Sequence, residues 1–198
     1  PKWLGTSVPH YKFCATMRQY IPLGTPNVVF AYRLAYQGFF GNAPWYALPV
    51  YTTMGPKPDY DGLGGYRTVR GIMLNRVQGL HTGFYNAEIR YRFVDFKLFN
   101  QNIAFAVSGF TDGTHVFKDY DMTMSAAKRA ELALTAPKKL ELYDTFVHPD
   151  KKDGFHGSAG AGLRFIMNEN FIVAFEYARC FNKQDGDGAF YINIGFLF

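Results

Sequence analysis

The chain has 198 residues, a formal net charge of +5 and 48% hydrophobic residues, with 20 Phe and 14 Tyr among an aromatic share of 18%. Charged residues, at 19%, fall below the quarter usual in a soluble domain, yet mean hydropathy is slightly negative at -0.14, which fits strands that alternate apolar and polar positions. No run approaches the ~18 apolar residues of a membrane helix, and the basic residues are dispersed among acids, which argues against a nucleic-acid face.

The opening Pro1-Lys2-Trp3-Leu4-Gly5 lacks signal-peptide architecture, so the sequence reads as a mature chain or an internal segment. Val8 to Tyr20 alternates: Tyr11, Phe13, Ala15 and Met17 share one parity, and His10, Lys12, Cys14, Thr16 and Arg18 the other. Period two over this length predicts a strand with one apolar and one polar face. A turn over Ile21–Asn27 precedes a second strand, Val28 to about Gly38, with Phe30, Tyr32, Leu34 and Tyr36 opposite Ala31, Arg33 and Ala35.

A long connection is expected from about Phe39 to Gln78, Pro- and aromatic-rich through Pro56-Lys57-Pro58-Asp59. Gly83 to Phe93 alternates again, with Ala87, Ile89, Tyr91 and Phe93 against Asn86, Glu88, Arg90 and Arg92. A turn near Lys97–Asn102 leads into Ile103 to Asp112, where Ile103, Phe105 and Val107 oppose Ala104, Ala106, Ser108 and Phe110. A second long connection is expected over 113–155. Within it Met122 to Leu134 has helical composition, with Ser125 as the candidate N-cap.

Three more strands follow. Gly157 to Ile166 sets Ala159, Ala161, Leu163 and Phe165 against Gly160, Gly162 and Arg164. Past a turn at Met167–Asn170, Phe171 to Arg179 sets Phe171, Val173, Phe175 and Tyr177 against Ala174, Glu176 and Ala178. Past a polar loop at Asn182–Gly188, Ala189 to Phe198 sets Phe190, Ile192, Ile194, Phe196 and Phe198 against Tyr191, Asn193 and Gly195.

Seven antiparallel strands with alternating short and long connections fit a transmembrane β-barrel better than a soluble sandwich or lipocalin-like barrel, whose turns have no such rhythm. Bacterial outer-membrane barrels have an even number of strands with both ends at the periplasmic side. An odd count therefore predicts the C-terminal part of a larger barrel, completed by an N-terminal part or by another chain.

The stretch from Gly62 to Ile72 stands out within the first long connection. Gly62, Gly64, Gly65 and Gly71 surround Tyr66-Arg67-Thr68-Val69-Arg70, a run too apolar and too glycine-rich for an ordinary solvated loop. From the residues alone, Arg70 is a surface arginine or the partner of a buried acid.

The ordered series Gly64-Gly65-x-x-x-Val69-Arg70-Gly71-Ile72, Asn86-x-Glu88-Ile89-Arg90-Tyr91, Gly109-Phe110-x-Asp112, Gly160-x-Gly162-Leu163-Arg164, Phe175-Glu176-Tyr177-Ala178 and the closing aromatic strand resembles the second half of the bacterial surface-antigen barrel. This is the BamA/TamA-type superfamily of outer-membrane assembly and translocation proteins. Ile72 stands where an aromatic is common, Gly113-Thr114 follows the aspartate, and Glu176 replaces the more usual Asp. The resemblance implies an all-β fold: a transmembrane antiparallel β-barrel in which this chain supplies about the last seven strands of a sixteen-stranded barrel. It implies that 39–78 is an extracellular loop folding into the lumen, with Arg70 paired to Asp112 on the inner wall and Glu176 as second choice. Strand parity independently places Asp112 and Glu176 on the polar face. An arginine fork suits a carboxylate.

For Glu88, Arg90, Arg92, Arg164, Arg33 and Arg18 the expectation is a hydrated inner-wall network. Phe190, Phe196 and Phe198 belong to the closing strand, with Phe198 a girdle aromatic and, by resemblance, part of a recognition signal. The implied location is the bacterial outer membrane. The implied partners are its lipid bilayer, the missing barrel strands, unfolded outer-membrane clients, and periplasmic or lipoprotein accessory factors. The alternative is a passive anchor or translocation barrel for an attached N-terminal enzyme or secreted module.

Other motifs carry less. Ser125-Ala126-Ala127-Lys128 matches S-x-x-K without its partner motifs. Asp185-Gly186-Asp187-Gly188 lacks the later ligands of a calcium loop and reads as a turn. Gly157–Gly162 has no phosphate-loop order. His10, His81, His115, His148 and His156 form no ligand spacing, and Cys14 and Cys180 read as unpaired small hydrophobes. No metal, cofactor or catalytic set is expected.

Overall fold

The computed structural model describes residues 9–51, 62–147 and 152–198. The expected start at Val8, the Pro56–Asp59 segment and His148 lie outside these residues. Seven antiparallel strands form one sheet in chain order: β1 (His10–Leu23), β2 (Thr25–Gly41), β3 (His81–Leu98), β4 (Gln101–Lys118), β5 (Phe155–Met167), β6 (Phe171–Cys180) and β7 (Ala189–Ile194). The fold is all-β. Each strand pairs with its sequence neighbours, which leaves β1 and β7 as the edges.

Burial follows strand parity, and it is the apolar parity that is exposed. On β2, Ala31, Arg33, Ala35 and Gln37 are buried while Leu34 is exposed. Ile89, Tyr91, Leu163, Phe175, Tyr177 and Ile192 likewise stand outward, against buried Asn86, Glu88, Arg164 and Glu176. A water-soluble sheet would bury the aromatic side. A sheet that meets hydrocarbon outside and a polar interior inside does the reverse.

Several boundaries differ from the expected ones. The first turn is narrower than Ile21–Asn27, because both flanking strands run in to Gly24 at φ +74°. The second hairpin closes on Phe99 and Asn100, both at positive φ (46° and 62°), the backbone sense that matches strand twist in two-residue hairpins. β4 runs six residues past Asp112, so the second long connection begins at 119 and not at 113. Gly113 does not break the strand. A Cβ there would sit 2.5 Å from the Tyr85 ring and 2.7 Å from the Phe155 ring, so glycine makes room for outward aromatics on both neighbouring strands.

Two helices replace the single one expected, α1 (Ala126–Thr135) and α2 (Pro137–Phe146). Ser125 caps α1 by accepting from Lys128 N, and Pro137, which needs no N–H donor at a helix start, opens α2. The closing strand ends at Ile194 and does not reach Phe198. Gly195 adopts φ +95°, and the chain leaves the ladder there. Phe198 turns inward, 8% exposed, with the Arg33 and Arg90 guanidinium carbons 5.1 and 5.3 Å from its ring centre. It is therefore not an outward girdle residue. Phe196 also lies over inner-face arginines, 4.4 Å from Arg90 and 5.4 Å from Arg164, whereas Phe190 on β7 faces outward. Among the described residues no helix is long and apolar enough to cross a membrane, so crossing rests on the strands.

Candidate functional site

The segment 62–78 folds back over the inner face of the sheet. Its base is closed by Val77 N donating to Leu63 O (3.1 Å) and Gly65 N donating to Ile72 O (2.8 Å). Thr68 Oγ1 accepts from Gly64 N at 3.0 Å, holding the turn from within. Gly64 sits at φ +119°, and a Cβ there would meet Met73 O at 2.0 Å. Leu63, Val69, Ile72 and Val77 then bury against Tyr51, Phe84, Val116 and Cys180. The run was too apolar for a solvated loop because it has its own core.

At the tip, Arg70 is fully buried and its fork is shared among three carboxylates. Nε lies 2.8 Å from Asp112 Oδ2, and Nη2 3.0 Å from Asp112 Oδ1. Nη1 reaches Glu176 at 3.1 and 3.2 Å and Glu88 Oε2 at 3.3 Å. The guanidinium lies flat on Phe110, 3.4 Å from the ring centre. Arg164 joins Glu88 at 2.6 Å and also contacts Glu176, while Arg90 Nε donates to Glu88 Oε1 at 3.0 Å. Three arginines thus balance three acids. Arg70, Arg164, Glu88, Asp112 and Glu176 are each 1% exposed or less, so the expected hydrated network is a dry one. Water is excluded because the loop lies on top of it. Arg18 and Arg92 do not join: Arg18 is exposed, and Arg92 pairs with Asp95 at 3.3 Å on the surface. Arg33 is buried on neutral partners, with Nε to Asn86 Oδ1 at 2.8 Å and its carbon 4.8 Å from the Phe84 ring centre.

The backbone of residues 67–71 is bound to six strands in order. Arg67 O accepts from Arg33 on β2 (2.7 Å), and Thr68 O accepts from Asn86 on β3 (2.7 Å). Arg70 N donates to Asp112 on β4 (3.0 Å), and Arg70 O accepts from Ser158 on β5. Gly71 O accepts from Cys180 on β6 (2.7 Å), and Gly71 N donates to Tyr191 on β7 (2.8 Å). Four peptide steps cover at most ~14 Å, whereas six strands spread over roughly 24 Å. The long side chains of Arg33 and Tyr191 close the difference at the two ends. Gly71, at φ +86°, lets the backbone approach β6; a Cβ would lie 3.1 Å from Ala178 Cβ.

A family model for the Omp85 superfamily domain matches residues 2–198. The chain belongs to the Omp85 superfamily. No curated protein matches it. Omp85 proteins are outer-membrane β-barrel proteins that insert or transport other proteins, and the chain is accordingly an outer-membrane protein of that kind. In an Omp85 barrel the buried parity of β1–β7 is the lumen side, and the exposed aromatic parity meets lipid.

A second cluster sits where β5 begins. His156 Nδ1 lies 2.9 Å from both oxygens of fully buried Asp185, and Nε2 lies 2.9 Å from Asp153 Oδ1. Asp185 O also accepts from Met73 N at 2.8 Å, so the 182–188 turn holds the Omp85 loop from its far side. Asp185 is thus an anchor and more than a turn residue. Its spacing from His156 gives no hint of this. No motif in the sequence marks Ser158, Cys180 or Tyr191 as a loop partner. Their inner-face parity was the available signal, but parity names a face and not a partner.

Proposed function

We propose that the chain is the C-terminal part of an outer-membrane assembly factor of the BamA/TamA type, which folds and inserts client barrel proteins. The observation that carries this is the single run of backbone, residues 67–71, bound to every strand from β2 to β7 around Arg70. A wall braced in this way stays ordered while one edge is left available. That edge is β7, whose six residues pair with β6 and with no other strand among the described residues. An unpaired strand edge in lipid has no water to satisfy its N–H and C=O groups, so it accepts an incoming strand by β-augmentation. The remaining wall comes from further strands of a longer chain or from another chain. Accessory periplasmic or lipoprotein factors deliver the clients.

The test uses the full-length protein with Ile192→Cys on β7 and cysteines scanned along the first and last strands of a stalled client. Templating predicts a disulfide at one client position, set by a single register, and not at its neighbours along the strand. Complete client insertion without any such crosslink contradicts the seam mechanism and favours a barrel that only anchors or translocates.

A further inference from the structure

We propose that Tyr191 is a positioning residue that latches the seam strand β7 to the lumen loop, so that β7 opens only when the loop tip lets go of its hydroxyl. This rests on the templating role proposed above for β7. The strand is short: six residues pair with β6, from Ala178↔Ala189 to Val173↔Ile194, and the chain leaves the ladder after Gly195 N donates to Ile172 O at 2.8 Å. Phe190, Ile192 and Ile194 point outward and touch nothing that would hold the strand from inside. On the inner side, among the described residues, the hydrogen bond between β7 and the loop is the one from Gly71 N to the Tyr191 hydroxyl, at 2.8 Å. The Tyr66 and Tyr191 rings meet at 5.6 Å between centres, beside a groove of about 630 Å³ that also borders Gly71, Met73 and Lys183.

The chemistry makes this contact a sensor of the clamp. Gly71 N–H belongs to the peptide that follows Arg70, and Arg70 is fixed by Asp112, Glu176 and Glu88. Gly71 O is held in turn by Cys180 on β6. The donor offered to Tyr191 is therefore placed by β4 and β6, not by β7 itself. Losing the hydroxyl leaves β7 with its β6 ladder, the Tyr66 ring contact and, past Gly195, the Phe196 and Phe198 rings on Arg90, Arg164 and Arg33, so the Ala189 end is the one free to separate. The same loss strands a buried N–H on the loop, so the two surfaces separate together.

The experiment is residue-resolved amide hydrogen exchange on the full-length protein in a membrane mimetic, wild type against Tyr191→Phe. The substitution keeps the ring and its packing on Tyr66 and removes only the acceptor. The latch predicts exchange roughly tenfold faster at Gly71 and at the amides of Ala189–Ile194 that bond to β6, with β4 and β5 changed less than twofold and heat-modifiable mobility retained. Unchanged β7 exchange overturns it, as does an equal rise across β4, β5 and β7. Should the variant fail to fold, the wild type alone decides. The Gly71 amide and the β7 amides that bond to β6 must share one protection factor, and a Gly71 amide exchanging independently of them overturns the latch. Client insertion is measured in parallel. Selective loosening of β7 with unaltered insertion leaves the latch standing and removes the templating role.

Discussion

Asp112 holds Arg70 by both its side chain and its main chain: Oδ1 and Oδ2 take the two arms of the fork, and Oδ2 also accepts the Arg70 backbone N–H at 3.0 Å. One carboxylate on β4 thereby fixes the direction of the loop as well as the position of its charge. Glu176 and Glu88 then complete the guanidinium from β6 and β3, and Phe110 supports it from below.

Replacing Arg70 by Lys keeps the charge but not the fork. An ammonium cannot serve Asp112 bidentately and also reach Glu176 and Glu88 in one plane. The expected loss approaches that of Arg70→Ala, about 3–5 kcal/mol for removing one partner of a buried ionic cluster. Urea unfolding followed by heat-modifiable mobility measures it. A Lys variant as stable as wild type would mean that charge alone is sufficient.

Gly71→Ala meets two obstacles. The φ of +86° disfavours any L side chain, and the new Cβ arrives 3.1 Å from Ala178 Cβ with the Ala178 backbone close behind. A destabilisation of about 1–3 kcal/mol is expected, together with faster amide exchange in residues 67–73. A neutral outcome would show that the loop does not seat against β6 in the membrane.

The His156 cluster titrates from its loop side. Asp153 lies outside the strands, and the hydrogen bond from His156, against some cost of burial, holds its carboxyl below the usual carboxylate range. A folded value below the unfolded one contributes stability that is present above about pH 4 and is lost as pH falls through the lower folded value. Protease protection near residues 152–157 should therefore show a drop in acid, and Asp153→Asn should abolish that step. An acid step that persists in Asp153→Asn assigns it to another group.

Much of this fold was legible because a pleated strand repeats every two residues, so Phe30 to Tyr36 and Ala87 to Phe93 declare both the strand and its two faces. Strand ends were not legible. Gly113 read as a stop because its packing role depends on Tyr85 and Phe155 from neighbouring strands, and Gly195 ends β7 through a backbone angle that no side-chain pattern records. In the candidate site, parity placed Asp112 and Glu176 on one wall, and the resemblance brought Arg70 to Asp112. The simultaneous grip of all three acids depends on how deep the loop lies, which the packing of Val69 and Ile72 and the backbone bonds of residues 67–73 set together. The pairing of His156 with Asp185 crosses two connections and leaves no local trace.

In the proposed function the loop bearing Arg70 braces the barrel for client assembly. The most direct test is Arg70→Ala in the full-length protein, reconstituted in liposomes, with heat-modifiable mobility and the insertion rate of a client barrel measured on the same preparation. Lowered heat-modifiable stability and slower insertion are expected. Mobility and insertion both equal to wild type would contradict it.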